Sequence, residues 1–363
     1  MENNIYWIWL ASVRGIQNNR KHLLVDAFGG AEEVYTATKK ALVQSRILKD
    51  QAIDKLIKQQ DLSVAQKAKR FMEKENITCI HLHDALYPQK LVDIYDPPVT
   101  LFAKGDLSLL KRDLLIGMVG SRKASPGSLQ MAKKFGEALS NMGMTVVSGM
   151  AEGIDAQSHR GALAGVGSTI AVLGTGVNRC YPRKNANLYH EIEDKGLLLS
   201  EFFMDEKPLA YHFPLRNRII SGLSDGLLVV EAAGKSGALI TAKHAMEQGK
   251  NVYAIPQDIH LDQSVGSNAL LQDGAKLVTK PEDILEDFVT YTQQEKPVQV
   301  PHQKEFDLTA EESELYQWMK KGHLTIDDLV QISGQPMATL NAALMMMELK
   351  DCIKVAYGQI TLL

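Results

Sequence analysis

The sequence predicts an α/β protein built on a doubly wound sheet, with an all-helical domain before it and a winged helix after it. Three observations carry that prediction. From residue 77 onward, short apolar runs alternate with amphipathic stretches long enough for crossover helices, the pattern of a parallel sheet covered on both faces. Before that point apolar residues recur only at intervals of three and four. After about residue 307 three helical segments lead into a small hairpin.

Residues 1–70 read as helices, with Leu23, Leu24 and Phe28, then Ile47, Leu56 and Ile57, on helical faces. Gly15 falls in a tight turn before one helix and Gly29-Gly30 at the end of the next, the layout of a SAM-like or helix-hairpin-helix module. Such a glycine turn can offer main-chain N–H groups to a DNA phosphate. Gln17 stands where a second glycine is usual, so the turn is read as packing.

Residues 75–288 form the central domain. After ITCIHLHD at 77–84, strands are expected within 99–105, 114–121, 144–150, 168–174, 196–202, 226–232, 251–256 and 275–278. The segment SLQMAKKFGEALSNMG is one of the amphipathic stretches between them. An extended Rossmann-like sheet of this kind holds its ligands at the carboxyl ends of its strands. His81 and His83 alternate with apolar neighbours, and with no third ligand nearby they are read as an exposed strand face.

Residues 289–306 are polar, contain Pro297 and Pro301 and lack periodicity, so they read as a linker to a winged helix over 307–363.

Composition narrows the function. The 363 residues are 45% hydrophobic and 23% charged, as in ordinary globular proteins, and the net charge of −3 gives no global attraction to a polyanion. A nucleic-acid role must then rest on a local basic surface, and residues 111–220 carry 14 Lys plus Arg against 10 Asp plus Glu. Cys79, Cys180 and Cys352 form neither a disulfide framework nor a zinc motif, and no metal or cofactor is expected. No stretch reaches the roughly 18 apolar residues of a membrane span, and a cytoplasmic protein is expected.

The chemistry gathers at strand ends. The strand LLIGMVGS ends in Gly120-Ser121-Arg122, and Pro126 opens the following helix: helix-start N–H groups, a positive helix end and an arginine fork make an anion site. Next, SGMAEGID keeps a close turn through Gly149 and Gly153 and places Asp155 in the first helical turn, where it can cap. Then follow Gly174 and Gly176 with YPRKN, FPLRNR, and SGALITA.

In this order, G-S-R, S-G-x-A-x-G-I-D, G-x-G with Y-P-x-x-N, F-P-x-R-N-R and S-G-x-x-x-T-A resemble the DNA-processing protein A (DprA/Smf) family over residues 114–278. The resemblance implies a protein of natural transformation and recombination that binds single-stranded DNA, dimerises and loads RecA recombinase, with no catalytic turnover. Single-stranded DNA-binding protein is a further candidate partner. Carried over by motif, Arg122 grips a phosphate, Lys184, Arg216 and Arg218 line a basic pocket, and Phe213 offers a face to a base. Ser121, Gly149 and Gly174 belong to the same DNA path.

Arg216 and Arg218 stand two apart at a helix start and point in different directions, and Glu201 or Glu231 is available to pair with one of them. The segment VGSNALLQDGAKLV resembles the family's dimer-forming part, so Asn268, Leu270, Leu271 and Leu277 are expected at that interface. Gln257 after Pro256, where the family usually has glycine, and SEFFMDEKPLAY, which lacks usual prolines, are departures.

Two other functions compete. One is a nucleotide-processing enzyme of the phosphoribohydrolase type, with Glu231 behind KSGALIT as its carboxylate. The other is a duplex reader acting through the winged helix. Residues 305–363 hold 4 Lys against 9 Asp plus Glu, and the recognition-helix segment PMATLNAALMMMELK carries a single cation, Lys350. The winged helix is therefore read as a protein-contact or regulatory module, with Met345, Met346 and Met347 mainly in its core.

Overall fold

The computed structural model describes residues 4–288, 308–320, 325–350, 352–356 and 359–362. The segment 289–306 expected as a linker lies outside them. Contacts divide the chain into two units, residues 1–290 and 291–363.

Six helices open the first unit: α1 (Asn4–Ser12), α2 (Asn18–Phe28), α3 (Ala31–Thr36), α4 (Lys39–Ser45), α5 (Asp50–Lys58) and α6 (Ser63–Lys74). Trp7, Ile8, Trp9 and Leu10 of α1 are all buried, a helix apolar on nearly every side, with α3 and α6 packed on it. Helix α2 stops at Gly29, whose left-handed φ of 96° returns its N–H to the Val25 carbonyl. At its start Gln17 gives no side-chain cap, and the Asp96 carboxylate accepts the Asn19 N–H at 2.6 Å. A carboxylate of the same chain thus occupies the positive end of α2. Trp7, Leu24 and Ile53 join Cys79, Phe102 and Leu198 in one apolar cluster, so helices and sheet share a core.

The sheet has nine strands: β1 (Thr78–His81), β2 (Thr100–Gly105), β3 (Leu115–Val119), β4 (Thr145–Ser148), β5 (Thr169–Val172), β6 (Leu197–Ser200), β7 (Gly226–Val229), β8 (Asn251–Ala254) and β9 (Lys276–Leu277). Their order is β1-β2-β6-β5-β4-β3-β7-β8-β9. From β6 to β9 all pairs are parallel, as the short apolar runs between amphipathic stretches predict. β1 and β2 depart from that expectation by adding an antiparallel pair at one edge, because only a 3-10 turn (Gln89–Leu91), and no crossover helix, separates them.

Helices α7 (Pro126–Asn141) and α8 (Ile154–Ala162) cover one face, and α9 (Ala186–Lys195) continues it beside the N-terminal helices. Helices α10 (His212–Leu223), α11 (Gly237–Glu247) and α12 (Val265–Gln272) cover the other, and α13 (Glu282–Leu285) returns to the first. Alternation decides which side chain goes where: Leu197 and Leu199 of β6 fall on the sheet face that α10 covers, and Leu198 falls on the opposite face, which α9 and the N-terminal helices share. His81 is not on an exposed strand face as expected. Because α1 packs over β1, its ring stacks on Trp7 at 4.5 Å, and His83, beyond the strand, meets the same indole edge-on at 5.2 Å.

In the second unit, helices Ala310–Lys320, Ile326–Ser333 and Met337–Leu349 precede an antiparallel pair, Ile353–Ala356 with Gln359–Leu362. Leu315, Leu329, Leu340, Leu344 and Met347 form its core. Met345 and Met346, expected inside, are 66% and 50% exposed, since three consecutive helical positions fan over about 200°. Lys350 Nζ lies 2.7 Å from Glu312 Oε2.

Candidate nucleic-acid interface

Chain connections leave β3 and β7 in opposite directions, β3 through α7 to β4 and β7 through α11 to β8, so their carboxyl ends frame the crevice where doubly wound sheets bind ligands. A cleft of about 840 Å³ opens there. Its lining comes from the loop after β3 (Ser121, Arg122, Lys123), the start of α11 (Lys235, Ser236) and α10 (Phe213, Arg216).

The loop after β3 is held from below. Ser121 N–H donates to the Glu231 carbonyl at 2.7 Å, and Ser121 Oγ accepts the Lys123 N–H at 3.1 Å. Ser125 caps α7 through the Ser128 N–H, with Pro126 in the first turn as the sequence indicates. Gly153, at φ 84°, lets the next loop close over this one: a Cβ there would sit 2.3 Å from the Ser121 oxygen. Arg122 and Lys123 are left exposed at the rim.

Phe213 is half-buried at the start of α10, with the Arg122 guanidinium carbon 5.5 Å from its ring centroid. The ring packs close against Gly174, where a Cβ would come within 2.8 Å of Phe213 Cδ1. Tyr181 stands beside it, centroids 5.5 Å apart at 37°. Lys184, in the same Y-P-x-x-N loop, is exposed and sits 3.3 Å from Glu152. Asn185 anchors that loop by donating to the carbonyls of Met150 and Ala151.

The two arginines of F-P-x-R-N-R part company. Arg216 is buried under the cleft floor, where Nη1 donates to the carbonyls of Gly149, at 2.7 Å, and Val172. Gly149 leaves room for it, since a Cβ there would meet Arg216 Nη2 at 2.6 Å. Burial pulls the Arg216 pKa down to about 10, Asp155 opposes the shift and Arg122 adds to it. Asp155 does not cap α8 as expected; it turns back to the Ala151 N–H and faces Arg216, its carboxyl pushed up by burial against that cation's pull. Arg218 is turned away from the cleft into a two-point pair with Glu201, because two residues of helix rotate about 200°.

Glu231, the carboxylate on which a nucleotide-hydrolysing reading depends, is wholly buried and accepts from Ser125 N–H and Oγ. It braces the start of α7. Gln257 stands where its loop is a departure from the expected glycine, accepting from Ser128 Oγ and donating to the Val230 carbonyl. It ties the end of β8 to α7 and β7. Lys123, Lys235 and Tyr181 were not singled out from sequence, although all three stand within or beside the motifs that mark the cleft.

At the other end of the sheet, Leu270 is buried in the core, Leu271 packs partly against it, and Asn268 exchanges two hydrogen bonds with the Gln257 main chain. Leu277, on edge strand β9, is 51% exposed. Among the described residues no group of three or more His, Cys, Asp or Glu is placed to hold a metal, and no helix is long and apolar enough to cross a membrane.

The sequence model of DNA recombination-mediator protein A matches residues 78–289, and that of the DprA winged helix domain matches 299–359. The chain belongs to the DprA/Smf family. DNA processing protein DprA of Streptococcus pneumoniae is 40% identical over 276 residues, covering 70% of this chain and 97% of that protein. Protein Smf of Escherichia coli is 42% identical over 255 residues, 66% of this chain and 68% of its own. The DprA crystal structure from Streptococcus pneumoniae superposes with a TM-score of 0.69 at 36% identity, covering 78% of this chain and 97% of that one. The DprA of Helicobacter pylori, solved for its single-stranded DNA binding mode, superposes with a TM-score of 0.55 at 29% identity over 59% of this chain and 96% of its own. The DprA/Smf motifs therefore fall where the cleft is: G-S-R, S-G-x-A-x-G-I-D and S-G-x-x-x-T-A at its strand ends, Y-P-x-x-N and F-P-x-R-N-R across it.

Proposed function

We propose that the chain binds single-stranded DNA along this cleft and, as a homodimer, loads RecA onto the strand in recombination and natural transformation, with single-stranded DNA-binding protein as a further partner. The observation that carries the reading is Arg122 poised over the half-exposed Phe213 ring. A single strand needs cations along its backbone and an aromatic face for its bases, and both converge there. The single-stranded DNA binding mode of the Helicobacter pylori relative supports the same reading.

Arg122, Lys123 and Lys235 take phosphates, with the turn at Ser121 and the close backbone at Gly149 and Gly174 giving the strand its approach. Lys184 joins them on leaving Glu152. Arg216 contributes its charge from beneath the surface, and Arg218 braces α10 instead of touching DNA. The role is one of binding and hand-over, without turnover of a substrate.

Oligothymidylate binding measured across a salt series tests this. Phe213→Ala should weaken binding by about 1–3 kcal/mol, and Arg122→Ala should also flatten the slope of log K against log salt by about 0.7. If neither substitution weakens binding, the cleft is not the site. RecA filament growth on strand coated with single-stranded DNA-binding protein tests loading; no acceleration by the wild-type chain would remove that step.

A further inference from the structure

We propose that Glu152, which lines the hollow beside Phe213, biases the base stacked there toward guanine. This rests on the single-stranded DNA reading above and adds base selectivity to it.

The hollow measures about 240 Å³, below the roughly 300–1,000 Å³ of pockets for drug-sized ligands, and so suits one flat ring system. Tyr181 and Phe213 line it together. Their centroids lie 5.5 Å apart at 37°, too close to admit a base between them, so they make one bent platform on which a base stacks. Tyr181 is 42% exposed, which leaves it accessible to that contact. Pro182, Gly149 and Ala151 complete apolar walls.

Glu152 is the charged group that does not fit a phosphate path. It lines the same hollow as Arg122 and Lys123, yet a carboxylate only accepts hydrogen bonds and repels a phosphate. Its useful partner is the edge of a base lying on the platform. Guanine presents N1–H and N2–H side by side, matching the two carboxylate oxygens. Cytosine and adenine each offer one amino group, and thymine sets its single N3–H between two carbonyls that the carboxylate repels. Lys184 holds Glu152 at 3.3 Å from the solvent side, an exposed pair that stabilises little and gives way to a base.

Fluorescence anisotropy with oligothymidylate, and with the same strand carrying one central guanine, cytosine or adenine, tests the inference. Guanine should bind about tenfold tighter than the all-thymine strand, a 1.4 kcal/mol preference. Glu152→Gln should bring the two within about twofold. Tyr181→Ala should weaken all four strands about fivefold, an effect absent in Tyr181→Phe. Equal binding of all strands by the wild type, or a guanine preference that survives Glu152→Gln, overturns base reading and leaves single-strand binding intact. Failure to bind any of the strands overturns both.

Discussion

Arg218 and Glu201 meet at two points, Nη1 to Oε1 at 2.8 Å and Nη2 to Oε2 at 2.7 Å, with both side chains almost fully buried. Asp96 approaches the same guanidinium at 3.5 Å and caps the start of α2 with its other oxygen. One arginine on α10 therefore joins the end of β6 to the helical domain, and α10 is braced on the face away from Phe213.

Removing that arginine should cost stability before it costs binding. Arg218→Met leaves Glu201 buried without its paired cation, with the Asn18 amide still donating to it, a loss of about 3–5 kcal/mol for a broken buried pair. Urea denaturation reads it, with oligothymidylate affinity of the still-folded variant falling less than in Arg122→Ala. A stability loss under about 1 kcal/mol would show that the pair is not the brace described.

Gly174→Ala separates the stacking platform from the fold. The added methyl would lie 2.8 Å and 3.0 Å from two Phe213 ring carbons, and Gly174 has no left-handed φ to strain. The half-exposed ring can swing into the cleft, so stability should change by less than about 1 kcal/mol, below the usual range for overpacking. Affinity for oligothymidylate should nevertheless fall about fivefold, at the lower end of stacking energies. Unchanged affinity would mean that Phe213 does not stack.

These residues mark what was legible in the sequence. Buried parallel strands read as unbroken apolar runs, and the glycine, serine and arginine at their ends gave the cleft its place. The alternating face of α10 was only half legible: spacing separates Arg216 from Arg218, but which one meets a carboxylate depends on Glu201 and Asp96, distant in the chain. Arg216 was equally opaque, because its partners are main-chain oxygens of Gly149 and Val172 and carry no side-chain signature. Tyr181 and Glu152 become neighbours of Phe213 only through the folded loops.

Acid sensitivity should trace in part to His159. It is wholly buried on α8, its Nδ1 2.7 Å from Thr169 Oγ1, and burial, with Arg216 and Arg160 adding repulsion, pulls its pKa to about 3. The unfolded chain takes up a proton near pH 6.5 that the native state refuses, so stability falls as pH drops from about 6.5 toward 3, by up to roughly 1.4 kcal/mol per unit. Denaturation midpoints of the wild type and His159→Gln across that window should converge at low pH. Parallel curves would place the sensitivity elsewhere.

Leu270 and Leu277, both expected at the proposed dimer surface, differ in burial. Leu270 lies in the core, so Leu270→Ala should destabilise the monomer fold by about 2–5 kcal/mol whatever the oligomeric state. Leu277 is half exposed on an edge strand whose outer main-chain groups have no neighbouring strand among the described residues, an edge that invites a second copy. Leu277→Lys should shift the sedimentation of a folded protein from dimer to monomer at micromolar concentration. Affinity for an oligonucleotide long enough to reach two clefts should fall with it, and affinity for a strand filling one cleft should not, because only the long strand gains from two linked sites. A dimer that persists in Leu277→Lys would move the interface away from β9.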